Sequence, residues 1–450
     1  KGGFEKVEPM SLSKLNTRDQ VALLEIDSNK KEFLTLESNY EDGLTIGKSI
    51  QKHIKNSSKP ISLLDAGEIA YSTFCSADFD GDGDLDIFVG GRCKTGSYPI
   101  PVDSLLLENV NGEFKVNKNQ QGVLSEIGSV SSAVWTDILG DYLPELVVSC
   151  DPGLILIFQN KEGLLSNVTK ELGLNKAIGF WNSVSSGDFN GDGRLDLICG
   201  NLGGNSEYEI YRDSDLVWHL GDLSGGGIND VFESYYHRDI GELAPIRTYR
   251  ETLSAIPFLQ ERFSTYSAYS AATTHQLLGA QSDKLRKINI TKLESVVYLN
   301  KGDRFEMKDL PPAAQLSPVF GITISDFDGD GYEDVFLAQN FFGTRPSFPR
   351  LDAGRGLLLK GLGNGDFRPL SPSESGLDIT GDQRGAAFSD YNSDGKVDLL
   401  VGQNNGQSKL YKNRNAKRGL IIHLKGLKNN PKAIGSKIQL VSMVKKGPIR

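Results

Sequence analysis

The nine residues Asp78-Phe-Asp-Gly-Asp-Gly-Asp-Leu-Asp86 decide the fold, because the same pattern returns along the chain. A short apolar run, Ile87-Phe-Val89, follows it and is typical of a buried β-strand. Three further full copies, each followed by such a run, begin at Asp188, Asp326 and Asp390. Weaker copies begin at Asp27, Asp137 and Asp222. A pattern that returns in this way indicates a repeat protein in which each unit adds one small sheet.

Signals for two more strands follow the first full copy. Ser104-Leu-Leu-Leu-Glu-Asn109 is separated from Glu113-Phe-Lys-Val116 by a turn that contains Asn111-Gly112. Asn-Gly between short apolar runs favours a hairpin, because such turns need positive φ. The copies recur on average about every 60 residues, which suits four strands per unit with some long loops. We therefore predict an all-β fold, a seven-bladed β-propeller.

The two ends of the chain complement each other. The last copy supplies a third strand, Ser408-Lys-Leu-Tyr-Lys412, but no fourth. The chain opens instead with Gly2-Gly-Phe-Glu-Lys-Val7, which is similar to a fourth strand. We expect the N-terminal strand to close the last blade, since closure removes an exposed sheet edge.

The long interval after Asp222 holds an insert at about 239–293. Apolar residues three and four apart over residues 249–263 predict helix there, although Pro257 weakens that prediction.

Positions 1, 3, 5 and 9 of each full copy carry Asp or Asn, and the backbone carbonyl of position 7 would add another oxygen. Such an all-oxygen set favours calcium, which takes six to eight oxygen ligands in flexible geometry, over magnesium. An EF-hand is excluded because position 12 is apolar in all four copies. We predict about four calcium ions, held by Asp78, Asp80, Asp82, Asp84 and Asp86; Asp188, Asn190, Asp192, Arg194 and Asp196; Asp326, Asp328, Asp330, Tyr332 and Asp334; and Asp390, Asn392, Asp394, Lys396 and Asp398.

The weaker copies have lost ligands. Position 3 of the Asp137 copy is Leu139, and position 5 of the Asp222 copy is Gly226. For these two copies a polar hairpin without metal is favoured, and the Asp27 copy is not expected to bind an ion. Four divalent ions in the full copies would bring the formal charge from −9 to about −1, which relieves repulsion among the carboxylates.

These loops resemble the FG-GAP/VCBS repeats of integrin-α-like calcium propellers. The segment Arg418-Gly-Leu-Ile-Ile-His-Leu-Lys-Gly426 resembles the start of an ASPIC/UnbV domain, as found in large bacterial surface proteins. The resemblance implies a propeller over residues 1–413 and the start of an ASPIC/UnbV-like β segment over 414–450. It also implies an extracellular or cell-surface location and association with an outer-membrane uptake complex, but it supplies no activity.

Composition excludes two classes of partner. A net charge of −9 argues against nucleic acid, and the densest apolar stretch, residues 154–158, is far too short for a membrane span. Four cysteines are too few for a disulfide scaffold, although one disulfide stays open. The five histidines lack metal-binding spacing, and no catalytic motif stands out.

The end of the sheets opposite the Asp-rich loops offers a candidate binding face. Amides, arginines and aromatic residues follow the second strand of each unit there, and such residues suit sugar or peptide recognition. The candidates are Arg92, Tyr98, Asn201, Asn205, Asn340, Arg345 and Asn404.

We therefore predict a calcium-stabilised, non-catalytic extracellular module that binds a glycan or a partner protein. Two alternatives stay open. One is a polysaccharide lyase or hydrolase that uses the propeller funnel, which a buried Tyr, His or Arg cluster with perturbed pKa would favour. The other is a scaffold subunit of an outer-membrane uptake complex.

Overall fold

The computed structural model describes residues 4–7, 20–27, 32–38, 47–54 and 60–426 except 111, 212, 224, 228, 420 and 421, then 433, 436, 438–441 and 446–449. In these residues the chain is all-β, with seven four-stranded antiparallel sheets, a two-stranded ribbon and short helices. The weak copy at Asp27 lies at the edge of the described residues, and much of the segment 414–450 lies outside them.

The first three sheets follow the order of the chain. The N-terminal strand is β1 (Phe4–Val7). The first sheet contains β2 (Gln20–Asp27), β3 (Glu32–Glu37), β4 (Gly47–His53) and β5 (Ile61–Gly67). The second contains β6 (Ile69–Ala77), β7 (Asp86–Lys94), β8 (Leu105–Val110) and β9 (Glu113–Val116). The third, which follows α1 (Gln121–Leu124), contains β10 (Val130–Thr136), β11 (Glu145–Cys150), β12 (Ile155–Lys161) and β13 (Leu164–Asn167).

The remaining sheets include one that interrupts another. The fourth sheet begins with β14 (Ser183–Gly187) and β15 (Asp196–Gly200). An insert follows, with β16 (Leu216–Gly221), β17 (Asp230–His237), β18 (Glu242–Pro245), α2 (Tyr249–Ala255), α3 (Leu259–Arg262), α4 (Tyr266–Ser270), α5 (Thr274–Leu278) and β19 (Arg286–Ile290). The fourth sheet resumes with β20 (Val296–Asn300) and β21 (Phe305–Asp309).

The C-terminal part completes the set. The fifth sheet contains β22 (Val319–Ser325), β23 (Asp334–Gln339), β24 (Leu357–Gly361) and β25 (Phe367–Leu370). After α6 (Pro372–Ser375), the sixth contains β26 (Asp382–Ser389), β27 (Asp398–Asn404), β28 (Lys409–Asn413) and the N-terminal β1. The ribbon pairs β29 (Gln439–Val441) with β30 (Lys446–Ile449).

The first strands of the six sheets stand side by side. Contacts join β2, β6, β10, β14, β22 and β26 in this order. Serine hydroxyls reinforce three of these contacts by donating to a carbonyl of the next sheet. Ser72 donates to Val130 at 2.6 Å and Ser183 to Val319 at 3.1 Å, and Ser131 bonds Trp181 in the same way. This repeated contact gives the molecule its propeller-like arrangement.

The prediction of seven blades is not confirmed. β15 pairs directly with β20, with Leu197 opposite Tyr298, so the sheet β16–β19 is an insertion inside the fourth sheet. The Asp222 copy belongs to this inserted sheet, whose strands carry the same local sequence signals as those of the other six sheets. Helices α2–α5 confirm the predicted helical part, and Pro257 lies between α2 and α3. The insert itself, however, begins earlier than 239, directly after Gly200.

The prediction for the N-terminal strand is confirmed. β1 pairs antiparallel with β28, with Phe4 opposite Asn413, and supplies the fourth strand of the sixth sheet. Phe4 is buried there and lies against Phe327 and Phe388, with ring centroids 5.9 and 6.3 Å away. Burial of this aromatic side chain stabilises the pairing of two distant chain segments.

Apolar side chains fill the space between neighbouring sheets. All six residues of β11 and of β23 are buried, because these second strands have a sheet on either side. Trp181 is fully buried between the third and fourth sheets. All four cysteines are free thiols. Within the described residues, no helix combines the length and apolar character needed to cross a membrane.

The burial of His219 predicts that the stability of the fold depends on pH. His219 is buried in β16, neither ring nitrogen has a hydrogen-bond partner among the described residues, and Lys287 lies opposite it on β19. Burial, with a smaller effect of Lys287, lowers the pKa of His219 from 6.5 to about 4. As pH falls, this histidine is protonated in the unfolded chain before it is protonated in the folded one. The free energy of unfolding should therefore decrease by on the order of 3 kcal/mol between pH 6.5 and pH 4.

Urea unfolding between pH 4 and pH 7 checks this expectation. His219→Leu should flatten the profile, whereas His275→Gln, at an exposed position in α5, should leave it unchanged. An equal slope in His219→Leu and the parent would show that His219 is not the cause.

Candidate metal sites and ligand-binding face

The Asp-rich loops connect the first and second strands of their sheets and share one backbone conformation. The carboxylate at position 1 accepts the backbone N–H of position 6 in all four full copies. For Asp78 and Gly83 this distance is 3.1 Å. Gly83 has a φ of 92°, which residues other than glycine rarely adopt, so the loop needs glycine at this position.

The aspartate at position 9 is buried and fixed by the backbone. One oxygen of Asp86 accepts from Phe79 at 3.2 Å, and the other accepts from Asn109 at 2.9 Å. Asp196 and Asp334 are held by the equivalent pairs of N–H groups. Burial nevertheless raises the pKa of Asp86, Asp196 and Asp334 to about 7 each. The backbone N–H groups alone therefore do not offset the desolvation of these charged carboxylates.

Two full loops bring three carboxylates close enough to share one metal ion. Carboxylate oxygens of Asp78, Asp80 and Asp86 lie within 4.8 Å of one another, as do those of Asp326, Asp328 and Asp334. Two oxygens bound to one calcium at about 2.4 Å lie at most about 4.8 Å apart. Several buried acidic clusters can therefore bind a metal ion, and the oxygen-only donor set fits calcium.

The other two full loops have Asn at position 3, and among the described residues they do not form such a three-carboxylate group. Asn190 donates to Asp192 at 3.2 Å, and Asn392 donates to Asp398 at 3.0 Å. At position 7, Arg194 pairs with Asp192, whereas Lys396 donates to the Arg414 carbonyl. Because these two side chains are cationic and have other partners, only the backbone carbonyl of position 7 is predicted to bind the metal ion.

Lysines of the third strands contact two of the loops. Lys360 of β24 pairs with Asp328 and Asp330, and Lys412 of β28 pairs with Asp394 at 2.8 Å. Both residues stand one position before the end of their strand. Sequence reasoning missed these cations, because their strands are distant from the loops along the chain.

The weak copy at Asp137 also gathers carboxylates, which sequence reasoning did not expect. Oxygens of Asp137, Asp141 and Glu145 lie within 4.8 Å of one another. Burial raises the pKa of Glu145 to about 8. Leu139 occupies position 3, as the sequence showed, but Glu145 at position 9 is one methylene longer than the usual Asp.

Buried asparagines connect three of the loops to the next sheet, a feature that sequence reasoning also missed. Asn160 donates to the carbonyl of Phe79 at 2.8 Å, Asn300 to that of Ile138 at 2.7 Å, and Asn413 to that of Phe327 at 2.8 Å. In each case the accepting residue is position 2 of the preceding loop. The recurring Asn at the end of the third strand was the available signal.

Two of the predicted ligand-binding amides have structural partners. Asn201 is buried, accepts from Phe180 at 3.0 Å and donates to two backbone carbonyls. Asn340 is equally buried and bonds the backbone at both ends of its amide. Because all of their hydrogen-bonding groups point into the protein, neither side chain is free to meet a ligand.

The other candidates lie nearer the surface. Arg92 donates to Asp151 at 2.8 Å and stacks over Tyr98 with its guanidinium carbon 5.3 Å from the ring centroid. Asn205 donates to the Leu316 carbonyl. The side-chain amide of Asn404 donates to the Asp382 carboxylate at 3.4 Å. The structure thus brings Arg92 and Tyr98 together as one aromatic–cation pair.

Arg345 lines a cavity of about 590 Å³ between the insert and the loop after β23. The guanidinium donates to Glu251 at 2.8 Å and also pairs with Glu207, so it ties this loop to the insert. The lining combines guanidinium, hydroxyl, carboxylate and apolar side chains, among them Arg247, Arg250, Thr252, Ser254, Ser347, Asp230, Glu251, Phe232 and Ile256.

A buried charged cluster supports the cavity wall. Tyr208 donates to Glu233 at 2.5 Å, and Arg247 pairs with the same carboxylate. Burial raises the pKa of both Tyr208 and Glu233. For Glu251, burial acts to raise the pKa, but hydrogen bonds from Ser347 and Thr248 outweigh it and lower the value to about 2.

Repeated sheets joined by Asp-rich loops define a propeller-like repeat protein. In agreement, the FG-GAP-like repeat model matches residues 326–401, and the FG-GAP repeat model matches residues 180–214. The chain therefore contains FG-GAP repeats. No curated protein matches the sequence.

Solved structures of low sequence identity are similar over most of the chain. The biofilm matrix protein Bap1 of V. cholerae is 12% identical with a TM-score of 0.33, covering 92% of this chain and 89% of that one. BBS1N, in complex with ARL6DN and soaked with lead, is 10% identical with a TM-score of 0.36, covering 89% and 94%. The Dos1 propeller is 11% identical with a TM-score of 0.32, covering 90% and 95%.

Proposed function

We propose that this protein is a calcium-stabilised, non-catalytic extracellular module that binds a glycan. The observation that carries the calcium part is the gathering of three carboxylates within 4.8 Å in loops 78–86 and 326–334. Loops 188–196 and 390–398 share the same backbone hydrogen bonds and would hold the other two ions.

Calcium binding by equilibrium dialysis tests the metal part. Each of the variants Asp78→Asn, Asp188→Asn, Asp326→Asn and Asp390→Asn should bind one ion fewer than the parent, because position 1 anchors its loop. Asp303→Asn, an exposed turn residue outside the loops, is the matched control. Unchanged binding in all four variants would contradict the proposal.

The cavity beside Arg345 supports a neutral sugar as the ligand. The positive charges of Arg247 and Arg345 are already neutralised by ion pairs with Glu233 and Glu251. A highly charged ligand would have to compete with these ion pairs. Sugar hydroxyls both donate and accept, and they can pair with Arg250, Ser254 and Ser347. Arg92 and Tyr98 offer a second contact of the kind that sugars use.

A glycan array with and without calcium tests the ligand part. Arg345→Ala should reduce glycan binding about tenfold or more, since it opens the cavity wall, whereas Arg304→Ala at an exposed turn should not. Absence of binding to every glycan would favour a partner protein or the scaffold role in an outer-membrane uptake complex.

The buried Tyr208–Glu233–Arg247 cluster favours an enzyme, a polysaccharide lyase or hydrolase, as the second candidate function. A carboxyl with a raised pKa next to a tyrosine can serve acid–base chemistry. Release of reducing ends from a bound polysaccharide, and its loss in Glu233→Gln, would identify an enzyme. The binding module predicts no release.

The organisation of the whole chain is part of the same proposal. Residues 1–413 would form the propeller, closed between its last and first sheets, and residues 414–450 would begin an ASPIC/UnbV-like segment. Such an arrangement suits a protein of the cell surface.

A further inference from the structure

Loop 137–145, between β10 and β11, gathers three carboxylates although it lacks an oxygen ligand at position 3. Oxygens of Asp137, Asp141 and Glu145 lie within 4.8 Å of one another, as in loops 78–86 and 326–334. The backbone of the loop is also similar, since Asp137 accepts from Tyr142 and Asp141 accepts from Leu143, both at 3.1 Å.

The environment of Glu145 is an independent observation. In three of the full loops the aspartate at the same position, Asp86, Asp196 or Asp334, uses both oxygens to accept backbone N–H groups. Glu145 uses Oε2 to accept from Leu139 at 3.1 Å. Its Oε1 is buried and has no hydrogen-bond partner in the part of the chain that the structure describes, and the whole side chain is 0% exposed.

A buried acceptor without a partner costs about 1–3 kcal/mol, and more when it is charged. A carboxylate oxygen of Glu145 lies within 4.8 Å of oxygens of Asp137 and Asp141, and acceptors of this kind cannot satisfy the unpartnered Oε1. A cation can. The donors are all oxygens, which selects a hard divalent cation rather than a transition metal.

We propose that loop 137–145 is a further calcium site, in which the longer side chain of Glu145 supplies the oxygen that Leu139 at position 3 does not. The site goes beyond the four full loops of the proposed function and uses none of their residues. Loss of the position-3 ligand is thus compensated from position 9.

Glu145→Asp tests the role of side-chain length directly. It keeps the charge and introduces the residue that folds in the full loops, but its oxygens should both turn to the backbone. We expect this variant to bind one calcium ion fewer than the parent by equilibrium dialysis, with an intact circular dichroism spectrum. Adding Leu139→Asn should restore the ion, because loop 188–196 carries Asn190 at that position.

Two further measurements keep the outcome clear. Glu171→Gln, at an exposed position after β13, is the matched control and should bind as many ions as the parent. Terbium emission sensitised by tyrosine should fall in Tyr142→Phe, because Tyr142 is part of this loop, and should show no such fall when Glu145→Asp is already present.

Equal calcium binding by Glu145→Asp and the parent would overturn this inference. If Asp78→Asn and its three counterparts each lose an ion but Glu145→Asp loses none, only the site at loop 137–145 fails. If none of the five variants changes calcium binding, the metal part of the proposed function fails as well.

Discussion

Removal of calcium should lower the free energy of unfolding by on the order of 10 kcal/mol and the melting temperature by roughly 10 °C. Each bound ion contributes about 2.7 kcal/mol when free calcium is a hundredfold above its dissociation constant, and the four full loops act together. The buried aspartates increase the effect, because without a cation their charges are desolvated and repel one another. Thermal unfolding followed by circular dichroism, with calcium and then with a chelator, measures the change.

Magnesium provides the control for this experiment. It prefers a tight octahedron that retains several waters, so it should restore less stability than the same concentration of calcium. Calcium in excess over the chelator should restore the full melting temperature. Identical melting curves with calcium and with chelator would show that the loops do not hold the fold together.

Asn300→Ala should destabilise the calcium-loaded protein by about 2–4 kcal/mol. Asn300 is 3% exposed, and its amide donates to the carbonyls of Ile138 and Leu195 at 2.7 and 3.0 Å. Its Oδ1 also accepts from Gly302 at 2.8 Å. Alanine would remove this donor from the carbonyls of the buried residues Ile138 and Leu195 and would disconnect the fourth sheet from loop 137–145. Urea unfolding measures the free energy.

Asn119→Ala is the matched control for this variant. Asn119 is exposed before α1, so the change should stay within about 0.5 kcal/mol. A similarly small effect of Asn300→Ala would mean that water replaces the amide and that the asparagine bridges contribute little to the stability of the fold.

The sequence predicted the loops well because their features are local. Nine contiguous residues contain the glycines, the carboxylates and the start of the next strand, so the order of these residues locates the loop and predicts its donor atoms. The N-terminal strand was also predictable, since Phe4 and its neighbours resemble the fourth strands of other units. Calcium and the assignment of all four full loops remain predictions.

The candidate binding face was less predictable. Asn201 and Asn340 are of a residue type that is common at exposed binding faces. Both are nevertheless buried and hydrogen-bonded to the backbone of distant segments. Arg345 did lie at a cavity, but its partners Glu207 and Glu251 come from the insert. Polar residue types predict hydrogen bonding, and only the surrounding chain decides whether the partner is the protein or a ligand.

The sequence by itself determined the repeating unit, the donor chemistry of its loops and the strand that completes the last sheet. The tertiary structure decided that β15 pairs with β20, so that the Asp222 copy lies in an inserted sheet instead of forming the next sheet of the repeat. It also decided that Glu145 lies close to the carboxylates of its loop. The physical reason is that backbone conformation and ligand type are encoded within short segments. Pairing partners and burial depend instead on residues far apart in the chain that only folding brings into contact.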